Sequence, residues 1–248
     1  MLPQIAVSWT AAVVWLAVVV AAGFLVSWLA TDVRETAHRP YIALLTVVTL
    51  ALAGAYLALT GLDVMETLAH NAGWGVVGGI VVALPVSAGI VRMPGHRVPA
   101  EAGRRAGTLG WEGAVYGIAE GVLLSALPAL IVWHAADTAG WTGGWGGRLA
   151  AGVLALAASL LVIAVHHLGY WDYRGRQVLP VLLGCGLLTI AFLVTGSVLA
   201  PVIGHIAMHV AGLWHGIELP PHRHATGPDR TASVGLAHPS GSAQSAQS

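Results

Sequence analysis

Thr195 to His209 reads TGSVLAPVIGHIAMH. A Thr-Gly-Ser turn interrupts sequence that is apolar on both sides. Helix resumes after it, with Pro201 in the first turn, where a missing N–H is tolerated. That helix carries His205 and His209, four residues apart and therefore on one face. Ionisable side chains at membrane depth are expensive, so two on one face must look into a packed interior or a site. The stretch predicts the last crossing of a membrane helix bundle, entered through a tight turn.

Working outward, the rest of the chain has the same character. Of its 248 residues 56% are hydrophobic and only 9% charged, where soluble chains carry roughly a quarter charged residues. Apolar runs of about 18 residues or more recur, which is the signature of transmembrane helices. Seven spans are expected: Ile5–Ala30, Tyr41–Leu62, Trp74–Val91, Trp111–Trp133, Arg148–Tyr170, Val178–Leu193 and Val198–Gly216. The first lacks a basic leader and is too long for a signal-peptide core, so it reads as a retained span. Residues 1–217 form one transmembrane domain. Residues 218–248, rich in Pro, Ser, Gly, Ala and Gln, read as a disordered tail that cannot bury enough apolar surface to order itself. The fold class is an all-α polytopic membrane bundle.

Charge orients the bundle. All 11 basic residues are arginine. With the N-terminus outside, ten of them fall on the inner side and only Arg148 on the outer. Adding or losing one span would scramble that asymmetry. The C-terminal tail is then cytoplasmic, and the expected location is the inner (plasma) membrane as a multi-pass protein. The lysine-free, Ala-, Gly- and Val-rich composition points toward a GC-rich bacterial genome. No basic run suggests nucleic acid. The single cysteine, Cys185, excludes intrachain disulfides and cysteine-based zinc sites.

This topology places the unusual residues by depth. Glu120 lies ~14 Å from the inner end of its span at 1.5 Å per residue. His166 and His167 lie about one turn from the inner end of theirs. His209 lies about two turns in, and His205 one turn deeper. One carboxyl and several imidazoles from three spans thus share one half of the membrane. Facing lipid, Glu120 would cost on the order of 3 kcal/mol, so it must face inward, as a protonated structural group or a functional one. Gly117, Ala119, Gly121 and Ser125 around it permit close helix approach. Glu112, beside Trp111 at the span edge, reads as interfacial, as does His215. His166 and His167 point roughly 100° apart, so at most one faces a site. For His205 and His209 the structural alternative is interhelical hydrogen bonding. His222, His224 and His238 fall in the tail.

One Glu with several His supports three chemistries. Glu120 could activate water, with histidines assisting or holding an oxyanion. The side chains could hold a divalent metal whose bound water attacks a carbonyl. They could also line a proton or ion path. A haem held by two histidines ranks last, since no second paired arrangement appears.

The stretch also resembles the closing motif of the CPBP family, the CAAX-prenyl-protease and bacteriocin-processing (ABI) intramembrane peptidases. Thr195, Gly196, Ser197, Pro201 and His205 match that motif, and His209 stands where the family usually has Asn. The family's Phe-x-x-x-His motif looks like Val162 to His166 or Ile163 to His167, without the Phe and followed by Leu168-Gly169. Its Glu-Glu-x-x-x-Arg motif would fall on Ala119 to Leu124, where only Glu120 remains. The resemblance covers about residues 111–216. It implies an intramembrane endopeptidase acting on a membrane-associated peptide or protein amid membrane lipid, with Glu120 as base. His166 or His167, with His205, would assist, and His209 would fill the Asn role. If a divalent metal such as zinc is used, Glu120, His166 and His205 are the expected ligands. A catalytically inactive protein on the same scaffold, binding a partner or lipid, and a His/Glu-lined transporter are the alternatives. Of the two histidines in the opening stretch, His205 is expected to matter more.

Overall fold

The computed structural model describes residues 7–30, 38–92, 104–170, 173–176 and 178–217. Within them the chain is all-helical, with no β-strand. The helices are α1 (Trp9–Trp28), α2 (His38–Thr60), α3 (Val64–Ala69), α4 (Ala72–Arg92), α5 (Ala106–Thr138), α6 (Trp145–Leu168), α7 (Val178–Thr195) and α8 (Leu199–Trp214). Six of these, all but α3 and α8, are long and apolar enough to cross a membrane. This is a multi-pass helical bundle. The seventh expected span, α8, has 16 residues and so is ~24 Å long at 1.5 Å per residue, short of the ~30 Å hydrocarbon core. The expected tail at 218–248, with His222, His224 and His238, lies outside the described residues. So do Arg34, Arg97, Arg223 and Arg230.

Local chemistry sets the helix ends. Ser8 caps α1 by accepting from the Ala11 N–H at 3.2 Å. Asp63 caps α3 by accepting from the Glu66 N–H at 2.8 Å, adding one short helix to what reads as a loop. The Thr-Gly-Ser turn forms as expected. Gly196 has φ 67°, a left-handed conformation that ends α7 without a Cβ penalty. Asn71 Nδ2 donates to the Thr195 carbonyl at 2.9 Å, pinning that turn to the start of α4.

Contacts across the bundle show which ends meet. Tyr41 at the start of α2 hydrogen-bonds Tyr170 just beyond α6. Arg39 pairs with Glu112 near the start of α5, and Arg104 Nε donates to the Trp214 carbonyl at the end of α8 while lying over its ring. One end therefore gathers the C-termini of α6 and α8 with the N-termini of α2 and α5. At the opposite end Trp9 packs on Trp141, and Tyr56 bonds His134 late in α5.

α5 is the hub. It touches α1, α2, α6, α7 and α8. Of its most apolar window 78% is buried, against 22–33% for the other five long helices. In lipid, close packing rather than the hydrophobic effect drives helix association, and small residues permit it. Gly113, Gly117 and Gly121 form a ladder at four-residue spacing along α5. A Cβ on Gly117 would lie 2.6 Å from the Ile206 backbone, and one on Gly121 2.8 Å from Val202 Cα. α8 is pressed from its other side by α4, where a Cβ on Gly79 would come 2.9 Å from the Ala200 carbonyl. α8 is thus held between two glycine faces, its backbone close to both neighbours.

The hub helix is not uniform. Leu109–Val115 and Gly121–Ala126 are π-helical turns, and the five-residue α-helical stretch Tyr116–Glu120 lies between them. Pro128 follows the second π turn and has no N–H to give the Leu124 carbonyl four residues back. Ser159 on α6 supplies the missing donor. Its hydroxyl sits 3.0 Å from the carbonyls of both Leu124 and Ser125. Such widened turns frequently accompany functional sites, and this one begins at the residue after Glu120.

Candidate functional site

Residues on α5 at four-residue spacing share a face, and Glu112, Tyr116 and Glu120 form such a stripe. The glycine ladder runs one residue further round, so α8 docks beside the stripe and not on it. That register brings His209 level with Glu120. His209 Nε2 lies 2.8 Å from Glu120 Oε2, and the imidazole leans on the Tyr116 ring with centroids 4.4 Å apart. Glu120 is 3% exposed and His209 5%, so water does not dilute the pair. A short bond between an ionised carboxylate and a ring N–H is of the strong, charge-assisted kind.

The last turn of α6 approaches from the other side. His166 Nε2 lies 3.8 Å from Glu120 Oε1, beyond hydrogen-bonding reach. His166 Nδ1–H donates to the Gly23 carbonyl of α1 at 2.9 Å. That fixes the tautomer and leaves Nε2 to accept from the Tyr170 hydroxyl at 2.9 Å. Tyr170 in turn bonds the Tyr41 hydroxyl. The neutral imidazole is thereby satisfied at both nitrogens, by Gly23 of α1 and by Tyr170 just beyond its own helix.

The remaining candidates sit close by in different roles. His167 Nδ1–H donates to its own helix, to the Ile163 carbonyl at 2.8 Å, and its ring packs edge-on against Tyr170 and Tyr173. Of the adjacent pair, His166 is the one directed at Glu120, as the 100° separation anticipates. His205 makes no hydrogen bond with Glu120; its Nδ1–H donates to the Pro201 carbonyl at 2.9 Å. The structure therefore joins Glu120, His209 and His166 and sets His205 one turn away. Nearer the membrane edge, Glu112 is paired with His38 at 3.3 Å and Arg39 at 3.8 Å.

No family model matches this chain, and neither does any curated protein or solved structure. Among the described residues no three His, Cys, Asp or Glu side chains are arranged to hold a metal ion. The zinc set of Glu120, His166 and His205 does not fit, because the His205 ring does not join the other two. What the arrangement can do is hold an ionised carboxylate inside the bundle, oriented by one imidazole, with a second close by.

Reading the sequence alone overlooks the tyrosines. Tyr41, Tyr116 and Tyr170 stand near the ends of their spans, where an aromatic belt is the ordinary reading. All three are buried, at 0%, 2% and 2% exposure. A signal was present in the spacing: Tyr116 is four residues before Glu120 and Tyr170 four after His166, so each shares a face with a candidate.

Proposed function

We propose that this protein is a membrane-embedded endopeptidase of the CAAX-protease and bacteriocin-processing type, a divergent member with a reduced first motif. The observation that carries the reading is the buried Glu120, 2.8 Å from His209 and 3.8 Å from His166, with each side chain on a different helix. Glu120 takes a proton from water as the water oxygen attacks the peptide carbonyl carbon. It returns that proton to the nitrogen as the C–N bond breaks, leaving a carboxylic acid and an amine. His209 orients Glu120 and stands where the resembling motif has Asn. The substrate is a membrane-associated peptide or protein, reached from the arginine-rich end. That end is cytoplasmic, the N-terminus is outside and the tail is in the cytosol.

The test is cleavage of candidate membrane peptides by the purified protein in lipid. Glu120→Gln keeps the shape and removes the base, and is expected to abolish turnover. Equal turnover by wild type and Glu120→Gln would sink the catalytic role.

One observation favours a second reading, a non-catalytic scaffold that binds a partner or lipid. The His166 network with Gly23, Tyr170 and Tyr41 is closed and buried, as a structural network would be. Undiminished cellular function of Glu120→Gln and His205→Ala variants supports that reading over hydrolysis.

A further inference from the structure

Glu112 is a second acid on the face of α5 that carries Glu120. The two are eight residues apart, or ~12 Å along a helix at 1.5 Å per residue. A run of contacts joins them. His38 Nδ1 lies 3.3 Å from Glu112 Oε2, and the His38 ring stands edge-on to Tyr116, with centroids 5.8 Å apart. Tyr116 leans on His209, which bonds Glu120. Both acids therefore look onto one continuous stripe.

The two acids are held differently. The Glu112 side chain is 19% exposed and that of Glu120 4%, so an incoming molecule meets Glu112 first. Glu112 Oε2 faces His38, which is largely buried. Oε1 faces Arg39 Nε at 3.8 Å, beyond hydrogen-bonding reach, and the Arg39 side chain is 67% exposed. A pair so long and so open contributes little, so another cation can take the place of Arg39. Among the described residues, Glu112 and Glu120 are the only acids at the arginine-rich end. Membrane segments carry their own Lys and Arg at the cytoplasmic boundary. A segment laid along the stripe toward Glu120 brings such a residue past Glu112. Extended chain advances about 3.3 Å per residue, so the stripe between the acids spans about three to four residues.

We propose that Glu112 selects the substrate, by taking a lysine or arginine of the incoming membrane segment in place of Arg39. That residue lies about three to four positions from the bond presented to Glu120. The inference rests on the hydrolytic reading above and adds a substrate class to it: membrane segments with a basic residue at the cytoplasmic edge. Arg39 is the chain's own stand-in for that residue and gives way when the substrate's cation arrives. Glu112 touches no reacting atom. It sets which bond reaches Glu120.

The experiment uses the full chain in phosphatidylcholine nanodiscs and apolar peptides of about 20 residues, each with one lysine at a different position. Cut sites are read by mass spectrometry. Moving the lysine by one residue is expected to move the cut by one, keeping the two about three to four residues apart. Lysine is expected to raise kcat/KM by about 5-fold over alanine at the same place. Glu112→Arg is expected to reverse the preference, favouring glutamate over lysine. Both peptides meet the same preparation, so a loss of folded protein does not alter that ratio. Arg39→Ala is expected to lower KM for the lysine peptide, whereas loss of a merely structural ion pair would not lower it. Cut sites that ignore the lysine, or a lysine preference that Glu112→Arg retains, overturn the proposal. So does a preference erased by adding phosphatidylethanolamine, since Glu112 would then serve the lipid ammonium. A diazirine beside the lysine reports binding without cleavage. Lysine-dependent crosslinking next to Glu112 in a protein that cleaves nothing upholds the basic-residue site and overturns the peptidase reading. Cleavage at positions blind to the lysine does the reverse.

Discussion

Glu120 and His209 form a pair whose partners cannot be removed independently. Replacing His209 with Leu leaves a carboxylate buried without its donor. We expect a loss of about 3–5 kcal/mol, the range for breaking a buried pair, read as a fall in unfolding temperature in lipid. His209→Asn keeps an N–H donor in nearly the same place and should lose less than half as much. Tyr170→Phe removes the donor to His166 Nε2 and is expected to cost about 1–3 kcal/mol, measured the same way. At this scale the sequence predicts that Glu120 and the histidines share a membrane half. It does not show that His209, and not His205, is the partner. The two share one face of α8, and only the docking height of α8 on α5 chooses between them. That height is set by backbone contact between Gly117 and Ile206 and between Gly121 and Val202, which depends on two helices at once.

The height in question belongs to α5 as an element. Gly117→Leu would force a side chain into the Ile206 backbone, which no rotamer change relieves. Overpacking of that kind costs about 1–3 kcal/mol or more, and here it must also push α8 outward and draw His209 away from Glu120. Stability and cleavage should therefore fall together in Gly117→Leu. In Gly89→Leu, where a Cβ meets nothing within 4 Å, neither should change. Ser159→Ala leaves the Leu124 carbonyl without the donor that Pro128 cannot supply. A loss of about 1–3 kcal/mol is expected, along with faster hydrogen exchange through the second π turn. The span itself is plain in the sequence from its hydropathy. Its π turns are not, because widened turns have no composition of their own and arise here from the fit against α6 and α8.

For the whole molecule, hydropathy alone places every described helix but α3 to within five residues, since a long apolar run in lipid satisfies its own backbone as a helix. Orientation rests on the arginines. A cysteine introduced at Gly144 should react with a membrane-impermeant thiol reagent added outside intact cells, and one at Arg176 should not. The buried Cys185 leaves that background silent. The opposite pattern would invert the topology and place the Glu120 site in the other leaflet. The chain's layout also has a consequence for how the protein is made. Glu120 and His209 are 89 residues apart in sequence. A ribosome adding about 5–20 residues per second delivers the helix with the acid roughly 4–18 seconds before the imidazole that matches it. Over that interval the nascent α5 must wait at the insertion machinery or enter lipid with its carboxyl neutralised by a proton. Stalling translation after α7 should therefore leave α5 loosely held and open to chemical crosslinking with the translocon. Release of the stall should bring in α8 and close the bundle around the acid.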